Sequence, residues 1–559
     1  MSTPTQITVG ELAARLFAAS GITHAFGVIS IHNMPVLDAF HRLQNMCFVP
    51  ARGEAGAVNM ADAATRVSGR TAIAITSTGT AAGNACGAMV EALTAGTPLL
   101  HLTGQIELPY LDRNLGYIHE ARDQMSMLKA VSKAAYRVWR PEDALGVLKE
   151  AIRVANTAPT GPVSVEIPID VQESLVEMPD AAQLAMIAPQ PQAPEAGALM
   201  VLAQKLAQAR RPLFWLGGGA RGASAAVARL LALGVGVVTS VQGRGVVAEH
   251  HPLTLGAFNL YPEAEAFYAS CDALVVVGSR LRSNETLKYK LKLPKPLYRV
   301  DCDPQAQGRA YADELFVCGD AQLTLNALAD HLEAARAKAG FVIDAAYAAD
   351  LARARHAAEE RVRAGLGPYA LLVDELQRAA GDDFVWVRDV TVSNSTWGNR
   401  ALHISGPRDG VHAMGGGIGM GAAMSVGAAL AASHGNPKRK TVALSGDGGL
   451  MLNIGELATL KQEQANVVLV VMNDRGYGVI RNIQDAQYGA RRAYVDLVTP
   501  DFAQLTGSLG IAHIPLKAIA ETREVLARAF AIPGPVMVEV DMNAIGPFAS
   551  AFAGPPVKK

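Results

Sequence analysis

The sequence has almost no net charge. Its 50 Lys and Arg residues nearly balance 51 Asp and Glu residues, which leaves a formal net charge of −1. No block of basic residues stands out, so nothing in the charge pattern predicts binding to nucleic acid or to an anionic membrane. Charged residues are also few, at 18%, whereas hydrophobic residues reach 50%. Disordered chains lack that much apolar side chain, so we expect a globular protein with several buried cores.

Cysteines and long apolar runs are scarce too. The chain has five cysteines, Cys47, Cys86, Cys271, Cys302 and Cys318. Because their number is odd and no Cys-x-x-Cys pair occurs, the sequence predicts neither a disulfide framework nor a zinc site, and we expect buried free thiols. No apolar run approaches the roughly 20 residues of a membrane helix, and the polar start Met1–Gln6 lacks the basic residues of a secretory signal. We therefore expect a cytoplasmic protein without a membrane partner.

Short apolar runs alternate with longer helical stretches along the whole chain, which is typical of βα units on parallel sheets. Buried parallel strands have no polar alternation, and these runs fit that description. In the first third they are Ala25–Val28, Ala72–Thr76, Leu99–Thr103 and Val163–Ile167. In the last third they are Phe384–Val387, Val442–Ser445, Val467–Met472 and Val536–Val540. The middle of the chain has similar runs, including Ala273–Val277 and Leu297–Asp301.

Two segments divide these runs into blocks. After Val176 the chain carries four prolines within a short stretch, which predicts an extended linker. Residues Glu333–Gly367 are rich in Ala, Arg and Glu and predict a connecting helical segment. At roughly 150 residues per domain, the length predicts three or four domains. We therefore predict three α/β domains with doubly wound, Rossmann-like parallel sheets, spanning residues 1–178, 195–332 and 369–545.

The densest motif follows two of the predicted strands. Gly446-Asp447-Gly448-Gly449 follows the run Val442–Ser445, and Asn473-Asp474-Arg475-Gly476-Tyr477-Gly478 follows the run Val467–Met472. Ligands of open parallel sheets bind at the carboxyl ends of strands. Glycines there let the backbone approach a phosphate and leave its amides free to donate, and carboxylate or amide oxygens suit Mg²⁺. The two strand ends together predict a site for Mg²⁺ and a phosphate-bearing ligand.

This pair of strand ends resembles the signature of the thiamine-diphosphate-dependent enzymes, the superfamily of acetolactate synthase, pyruvate decarboxylase and benzoylformate decarboxylase. Asp474 stands 474 − 447 = 27 residues after Asp447, where the family usually has the second residue of an Asn-Asn pair. The resemblance implies that Asp447, Asp474 and the carbonyl of Gly476 ligate the metal. Aspartate keeps an oxygen ligand but adds a negative charge, and a register in which Asn473 is the ligand stays open.

The first block resembles the family's pyrimidine-binding half. The segment beginning Ala51-Arg52-Gly53-Glu54-Ala55 is similar to the family's glutamate segment, which implies that Glu54 is catalytic. A carboxyl held against N1′ of the aminopyrimidine favours the imino tautomer, whose nitrogen can then remove the proton from the thiazolium C2. Thr78 and Asn84 lie in a segment that resembles the loop at the pyrimidine end of the cofactor.

The third block resembles the diphosphate-binding half. Gly415–Gly421 is similar to the loop that bends the cofactor, with Gly417 as a cofactor contact and the stiff, β-branched Ile418 as the wedge. Ser393, Asn394 and Ser395 fall where relatives bind the diphosphate with hydroxyls and amides. The resemblance implies further cofactor contacts from Gly446, Gly448, Gly449, Tyr477, Gly478 and Val479.

Two histidines fall where relatives carry reactive groups. His32 lies where benzaldehyde lyase has a histidine near its substrate, and Ile29 and Ser30 replace the usual Pro-Gly just before it. His119 lies where acetolactate synthases carry glutamine and pyruvate decarboxylases carry the second histidine of a pair. With an ordinary pKa of about 6.5, either histidine can move protons near neutral pH, so we expect both to be catalytic.

Other positions depart from every well-known member. Ser77 takes the place of the benzoylformate decarboxylase histidine, Asn284 that of an acetolactate synthase arginine and Ile480 that of the pyruvate decarboxylase glutamate. Val479 and Ile480 predict an apolar wall over the thiazolium, and Ile29 is a second substrate contact, so an uncharged or apolar acyl donor is favoured. The resemblance implies a Mg²⁺-dependent 2-oxo acid decarboxylase or carboligase that works through a C2 ylid and an enamine, or an acetolactate synthase-type, acyloin-forming transferase.

A rival hypothesis comes from the middle block. Gly217–Gly222 fits the Gly-x-Gly-x-x-Gly pattern of NAD(P)-binding oxidoreductases, but the run Val235–Val241 lacks the acidic residue which that fold needs at the end of its second strand. Some relatives hold FAD or ADP in this domain, and the sequence does not indicate either. The family builds each site from the pyrimidine half of one subunit and the diphosphate half of another. The resemblance therefore implies at least a homodimer and favours a homotetramer.

Overall fold

Three parallel β-sheets make up the computed structural model, which describes residues 5–338, 340–552 and 554. The first sheet contains, in spatial order, Cys47–Pro50, His24–Gly27, Ile73–Thr76, Leu100–Gln105, Val163–Pro168 and Ala134–Arg137. The middle sheet contains Gly236–Thr239, Pro212–Leu216, Ala273–Val277, Leu297–Asp301 and Leu315–Cys318. The third sheet contains Gly410–His412, Phe384–Arg388, Lys440–Gly446, Val467–Asn473, Val536–Asp541 and Ala512–Leu516. A separate antiparallel pair joins Gln6–Thr8 to Leu175–Glu177.

Helices follow the strands in all three units. Those of the first unit are Val9–Ala19, Met34–Leu43, Glu54–Ser68, Thr80–Ala95, Gln124–Val131, Ala144–Asn156 and Ile169–Glu173. Ala181–Leu184 comes next, and the middle unit has Ala196–Gln208, Ser224–Ala232, Pro262–Tyr268 and Ala321–Ala337. After Tyr347–Leu366 and Tyr369–Ala380, the third unit has Gly421–Ser433, Asp447–Leu450, Glu456–Gln462, Gly478–Gln487, Phe502–Ser508, Thr522–Ala531 and Met542–Ile545. In the described part of the chain, none of these helices has both the length and the apolar composition needed to cross a bilayer.

The strand orders identify where ligands should bind. Counted along the chain, the first and third sheets share the order second, first, third, fourth, sixth, fifth, and the middle sheet has second, first, third, fourth, fifth. In each sheet the second strand lies on one side of the first strand and the third strand lies on its other side. The connections that leave the first and second strands therefore run in opposite directions, and a crevice opens between the carboxyl ends of the first and third strands. The prediction of three doubly wound parallel sheets is therefore confirmed. The domain limits 1–178, 195–332 and 369–545 stay predictions.

Two expectations from the sequence need correction. The predicted helical segment Glu333–Gly367 is the end of one helix, Ala321–Ala337, and a second helix, Tyr347–Leu366, with a break between them. The five cysteines are free thiols, but Cys271 alone is buried, and Cys47 is exposed because it begins a strand at the edge of the first sheet. Residues 185–195, in the proline-rich segment, have no regular secondary structure, as predicted for a linker.

The first and third units share one hydrophobic core. Helix Glu54–Ser68 packs directly on helix Gly421–Ser433, so closely that a Cβ on Gly427 would collide with the carbonyl oxygen of Met60. A buried ionic cluster lies beside this contact, in which Arg66 pairs with Asp62 and with Glu91. This packing fixes the position of the first sheet relative to the third within a single chain.

Candidate active site

Two aspartates lie side by side at the carboxyl edge of the third sheet. Asp447 follows strand Lys440–Gly446 and is 1% exposed, and Asp474 follows the neighbouring strand. The carboxylate of Asp447 accepts hydrogen bonds from the backbone N–H of Asp474, at 3.4 Å, and of Gly476, at 3.1 Å. Burial and the nearby charge of Asp474 raise the pKa of Asp447 well above its usual range. Two crowded carboxylates of this kind are suited to a divalent cation.

The side chain of Asn473 points to another partner. Its Nδ2 donates to Glu539 Oε1 at 2.7 Å, and its Oδ1 accepts from the backbone N–H of Arg475 at 3.1 Å. Asp474 lies beside Asp447 instead, and a Cβ on Gly478 would collide with its carboxylate. This arrangement favours Asp474 over Asn473 as a metal ligand, and it explains why a glycine follows at position 478.

A polar cradle lies next to the aspartates. Strand Phe384–Arg388 leads into the π-helix Asn394–Gly398, a rare element that often occurs at functional sites. Ser393 Oγ and Asn394 Oδ1 are both buried and have no hydrogen-bond partner among the described residues. Buried polar atoms without partners cost about 1–3 kcal/mol each. The Ser393 hydroxyl can donate to a ligand such as a diphosphate, whereas Asn394 Oδ1 can only accept a hydrogen bond. The backbone N–H of Ser395 is already engaged with the carbonyl of Thr391.

The loop that carries Ile418 is held by an aspartate that the sequence analysis did not single out. Asp389 directly follows strand Phe384–Arg388, and its carboxylate accepts from the backbone N–H of Gly419, at 3.0 Å, and of Gly421, at 3.1 Å. Complete burial raises the pKa of Asp389 to about 6. Ile418 itself is 37% exposed, as a wedge for a ligand must be.

Two further contacts fix this loop from outside its own sheet. Glu91, in a helix of the first unit, accepts from the backbone N–H of Met414 at 2.6 Å and also from that of Gly415. Asn453 Nδ2 donates to the carbonyl of Gly419 at 2.8 Å. The glycines Gly446, Gly448 and Gly449 lie on the same side of the site, where a Cβ on Gly448 would approach Tyr477 to 3.0 Å.

Glu54 lies at the carboxyl edge of the first sheet, where it begins helix Glu54–Ser68. Its Oε2 accepts from Asn84 Nδ2 at 3.2 Å. Thr78 is on the same edge but is fully buried, and its hydroxyl lies 2.7 Å from Gln105 Oε1 and 3.0 Å from Gln124 Oε1. Glu54 therefore has one carboxylate oxygen outside these bonds, whereas the Thr78 side chain is engaged within the domain.

The two predicted histidines lie together at this edge. The ring centroids of His32 and His119 are 5.3 Å apart in an edge-to-face arrangement, and His32 Nδ1 is 3.3 Å from Ser77 Oγ. Burial and the neighbouring His119 lower the pKa of His32. The lowered pKa favours the neutral imidazole of His32.

These groups lie at the edges of two different sheets. Among the described residues, no hydrogen bond or ion pair joins Glu54 or the two histidines to Asp447 or Asp474. The predicted substrate contacts are divided in the same way, since Ile29 is 62% exposed on the first sheet and Ile480 47% exposed beside the third.

The glycine run of the middle sheet has a packing role. A Cβ on Gly219 would lie 2.8 Å from Gly278 Cα, and one on Gly217 would collide with the Gly278 carbonyl. Next to it is a cavity of about 430 Å³, whose lining includes Arg221 and Arg282. Strand Gly236–Thr239 ends in Thr239-Ser240, so the acidic residue of a dinucleotide site is missing from that position.

Comparisons with known proteins agree with this geometry. Three models of the thiamine pyrophosphate enzymes match: the N-terminal binding domain at residues 7–127, the central domain at 199–328 and the C-terminal binding domain at 391–540. A probable 2-ketoarginine decarboxylase of Pseudomonas aeruginosa is 29% identical over 96% of this chain and 94% of its own. The acetolactate synthase isozyme 1 large subunit of Escherichia coli is 26% identical over 97% and 95%. The chain belongs to the thiamine pyrophosphate (thiamine diphosphate)-dependent enzymes and is a lyase or transferase of that family.

Proposed function

We propose that the protein is a Mg²⁺- and thiamine-diphosphate-dependent decarboxylase of 2-oxo acids. The observation that carries this proposal is the contact between His32 and His119 at the edge that also holds Glu54. A simple decarboxylation must end with delivery of a proton to carbon, and this edge has two groups that can supply one. The likeness to a probable 2-ketoarginine decarboxylase supports the same reaction class.

The residues around the site divide the work. Asp447, Asp474 and the carbonyl of Gly476 would hold Mg²⁺, and the unpartnered hydroxyl of Ser393 would donate to the diphosphate. When bound, the cofactor supplies a nucleophilic carbon that adds to the carbonyl of the 2-oxo acid and accepts the electron pair released with CO₂.

The remaining groups move protons and exclude water. Glu54 has a free carboxylate oxygen with which to hold and return a proton, while Asn84 keeps its other oxygen in place. His32 and His119 exchange a proton with the substrate carbon and oxygen. Ile418 and Ile480 cover the reacting atoms with apolar surface and keep bulk water away.

The experiment is to mix the purified protein with Mg²⁺, thiamine diphosphate and a panel of 2-oxo acids, and to follow CO₂ and products by mass spectrometry. We expect CO₂ and the corresponding aldehydes. The likeness to acetolactate synthases favours a second candidate, an acyloin-forming transferase, which would give CO₂ with 2-hydroxyketo products. The NAD(P) oxidoreductase would show a saturable change in NADH fluorescence and no CO₂.

The affinity for Mg²⁺ is expected to fall as the pH is lowered from about 8 to about 6, by up to about tenfold per pH unit. The raised pKa of Asp447 means that the aspartate pair takes up a proton as the pH falls, and this proton competes with the cation. The measurement is a Mg²⁺ titration at saturating thiamine diphosphate and several pH values. Asp474→Asn is the matched control. It removes one charge of the aspartate pair, so the pH dependence that comes from the pair should become weaker, whereas any pH dependence that comes from titration of the cofactor should stay the same. A wild-type Kd that does not change with pH would contradict the competition.

Each complete site draws on two subunits in this proposal, as the family resemblance implies, and the described part of one chain has no hydrogen bond or ion pair between Glu54 and Asp447. The exposed apolar residues Ile29, Ile31 and Ile118 at the carboxyl edge of the first sheet are then covered by a second copy. The protein is at least a homodimer, with Glu54 of one copy facing the aspartates of the other.

Mixing two inactive variants is expected to restore activity. In a heterodimer of Glu54→Gln and Asp474→Ala subunits, one site carries both substitutions and the other carries neither. We expect roughly a quarter of the wild-type rate after unfolding and refolding the mixture, since about half of randomly formed dimers are mixed and each has one intact site. Sites built within one chain would give no recovery, and refolding each variant alone is the control.

A further inference from the structure

Glu107 is a carboxylate at the catalytic edge of the first sheet that the proposed mechanism does not use. It lies two residues beyond strand Leu100–Gln105, on the same side as His32 and His119. Its Oε2 is buried and has no hydrogen-bond partner among the described residues. No ion pair in the described part of the chain includes Glu107 either. A buried carboxylate oxygen without a partner is costly, so it indicates a ligand that supplies a donor.

Two neighbouring side chains, Tyr117 and His32, show which part of the site Glu107 faces. Tyr117 donates its hydroxyl to Glu107, and this hydrogen bond raises the pKa of Tyr117. Glu107 also acts on His32, whose pKa is lowered by burial and by His119 and partly restored by the Glu107 charge. Glu107 is therefore near the histidines to which we assign proton transfer.

A second glutamate lies between strand Leu100–Gln105 and helix Gln124–Val131, and both of its carboxylate oxygens are engaged. Glu120 accepts from the backbone N–H of Asn114 at 3.2 Å and of Tyr117 at 3.3 Å, so it holds the loop in shape. Tyr117 in turn stacks on Tyr110, with ring centroids 5.0 Å apart and planes inclined by 20°. Aromatic faces beside a carboxylate with an unpartnered oxygen attract planar cations such as guanidinium.

We propose that Glu107 determines donor specificity by binding a guanidinium or ammonium group at the far end of the 2-oxo acid. The inference rests on the proposed function and names the substrate class of the same site. The apolar surface of Val479 and Ile480 then contacts the methylene stem of the donor. The sequence favoured an uncharged or apolar donor. This inference predicts instead a donor that is apolar near the carbonyl and cationic at its far end.

Three donors test this assignment: 2-ketoarginine, its neutral urea analogue of the same length, and the slightly shorter, anionic 2-oxoadipate. We expect the wild-type enzyme to prefer 2-ketoarginine over the urea analogue by about 100-fold in kcat/KM, because a buried charge pair contributes to binding on that scale. Glu107→Gln should bring this ratio close to one, and Glu107→Asp should restore part of it. Glu107→Lys should shift the preference toward 2-oxoadipate.

The matched control is Glu142→Gln, which removes a surface carboxylate that is 65% exposed and should leave the ratio unchanged. A second measurement separates this inference from the proposed reaction. Calorimetric binding of 2-ketoarginine and its urea analogue is compared in Glu54→Gln and in Glu54→Gln/Glu107→Gln, each loaded with Mg²⁺ and thiamine diphosphate. Failure of every donor to release CO₂ would overturn the reaction, and the binding ratio would still test Glu107. An equal ratio with and without Glu107 would overturn the inference and leave the decarboxylase standing.

Discussion

Replacing Glu54 with Gln is expected to lower kcat for CO₂ release by about 1,000-fold, within the range found for removal of a general acid–base group. Gln has the same length and still accepts the hydrogen bond from Asn84, but it cannot take up or return a proton. Steady-state CO₂ release gives kcat, and fluorescence titration gives the affinity for thiamine diphosphate. We expect the affinity and the melting temperature to stay close to wild type, because the helix that Glu54 begins is kept.

Two controls separate proton transfer from loss of shape. Asn84→Ala removes only the group that orients Glu54, so we expect a smaller fall in kcat, of about tenfold. Glu142→Gln changes a solvent-exposed carboxylate and should have no effect on kcat. A kcat for Glu54→Gln within about tenfold of wild type would show that another group activates the cofactor.

The central strands of both outer sheets were predictable because they are buried on both faces. Val467–Met472 is a continuous apolar run in the sequence, and the structure has a strand at Val467–Asn473. Val163–Ile167 carries Ser164 and Glu166 between its apolar residues, and the structure buries all of them in strand Val163–Pro168. Parallel strands covered by helices need no polar face, so their sequences stand out without any knowledge of the partner strands. The same rule located Asp447 and Asp474, because each follows such a run.

The four strands missed in these two sheets are all edge strands. Cys47–Pro50 and Ala134–Arg137 flank the first sheet, and Gly410–His412 and Ala512–Leu516 flank the third. Every residue of Ala134–Arg137 is only partly buried. An edge strand has one neighbour and a partly solvated surface, so it need not carry the unbroken apolar run that the prediction relied on.

The missed site residues differ in how far they could have been predicted. Asp389 lies two residues after the predicted strand Phe384–Val387, so the strand-end rule that found Asp447 applies to it as well. Glu107 also follows a predicted strand. Glu91 gives no such signal, because it lies in a helix and its partner Met414 is 323 residues away. Contacts of that kind arise only when two domains pack, and a local pattern does not contain them.

Replacing Asp474 with Ala is expected to weaken Mg²⁺ binding by about 100-fold. The change removes one of two adjacent carboxylates and leaves Asp447 with a cation that still needs oxygen ligands. It also removes one of two carboxylate partners of Arg481, whose Nη1 lies 3.6 Å from Asp474 Oδ2 and whose Nη2 lies 3.0 Å from Asp496 Oδ1, so less negative charge offsets the guanidinium beside the metal. The measurement is the Mg²⁺ dependence of thiamine diphosphate affinity, followed by fluorescence.

Asn473→Ala is the matched control, because this neighbouring residue donates to Glu539 and not toward Asp447. We expect its effect on Mg²⁺ affinity to be less than about tenfold. Asp474→Asn should fall between the two, since it keeps an oxygen ligand but loses the charge that offsets Arg481. The reverse order, with Asn473→Ala the more damaging change, would assign the ligand to Asn473. Arg481→Met removes a positive charge whose Nη1 lies 3.6 Å from Asp474 Oδ2, so we expect it to strengthen Mg²⁺ binding, and an unchanged or weaker affinity would contradict this electrostatic account.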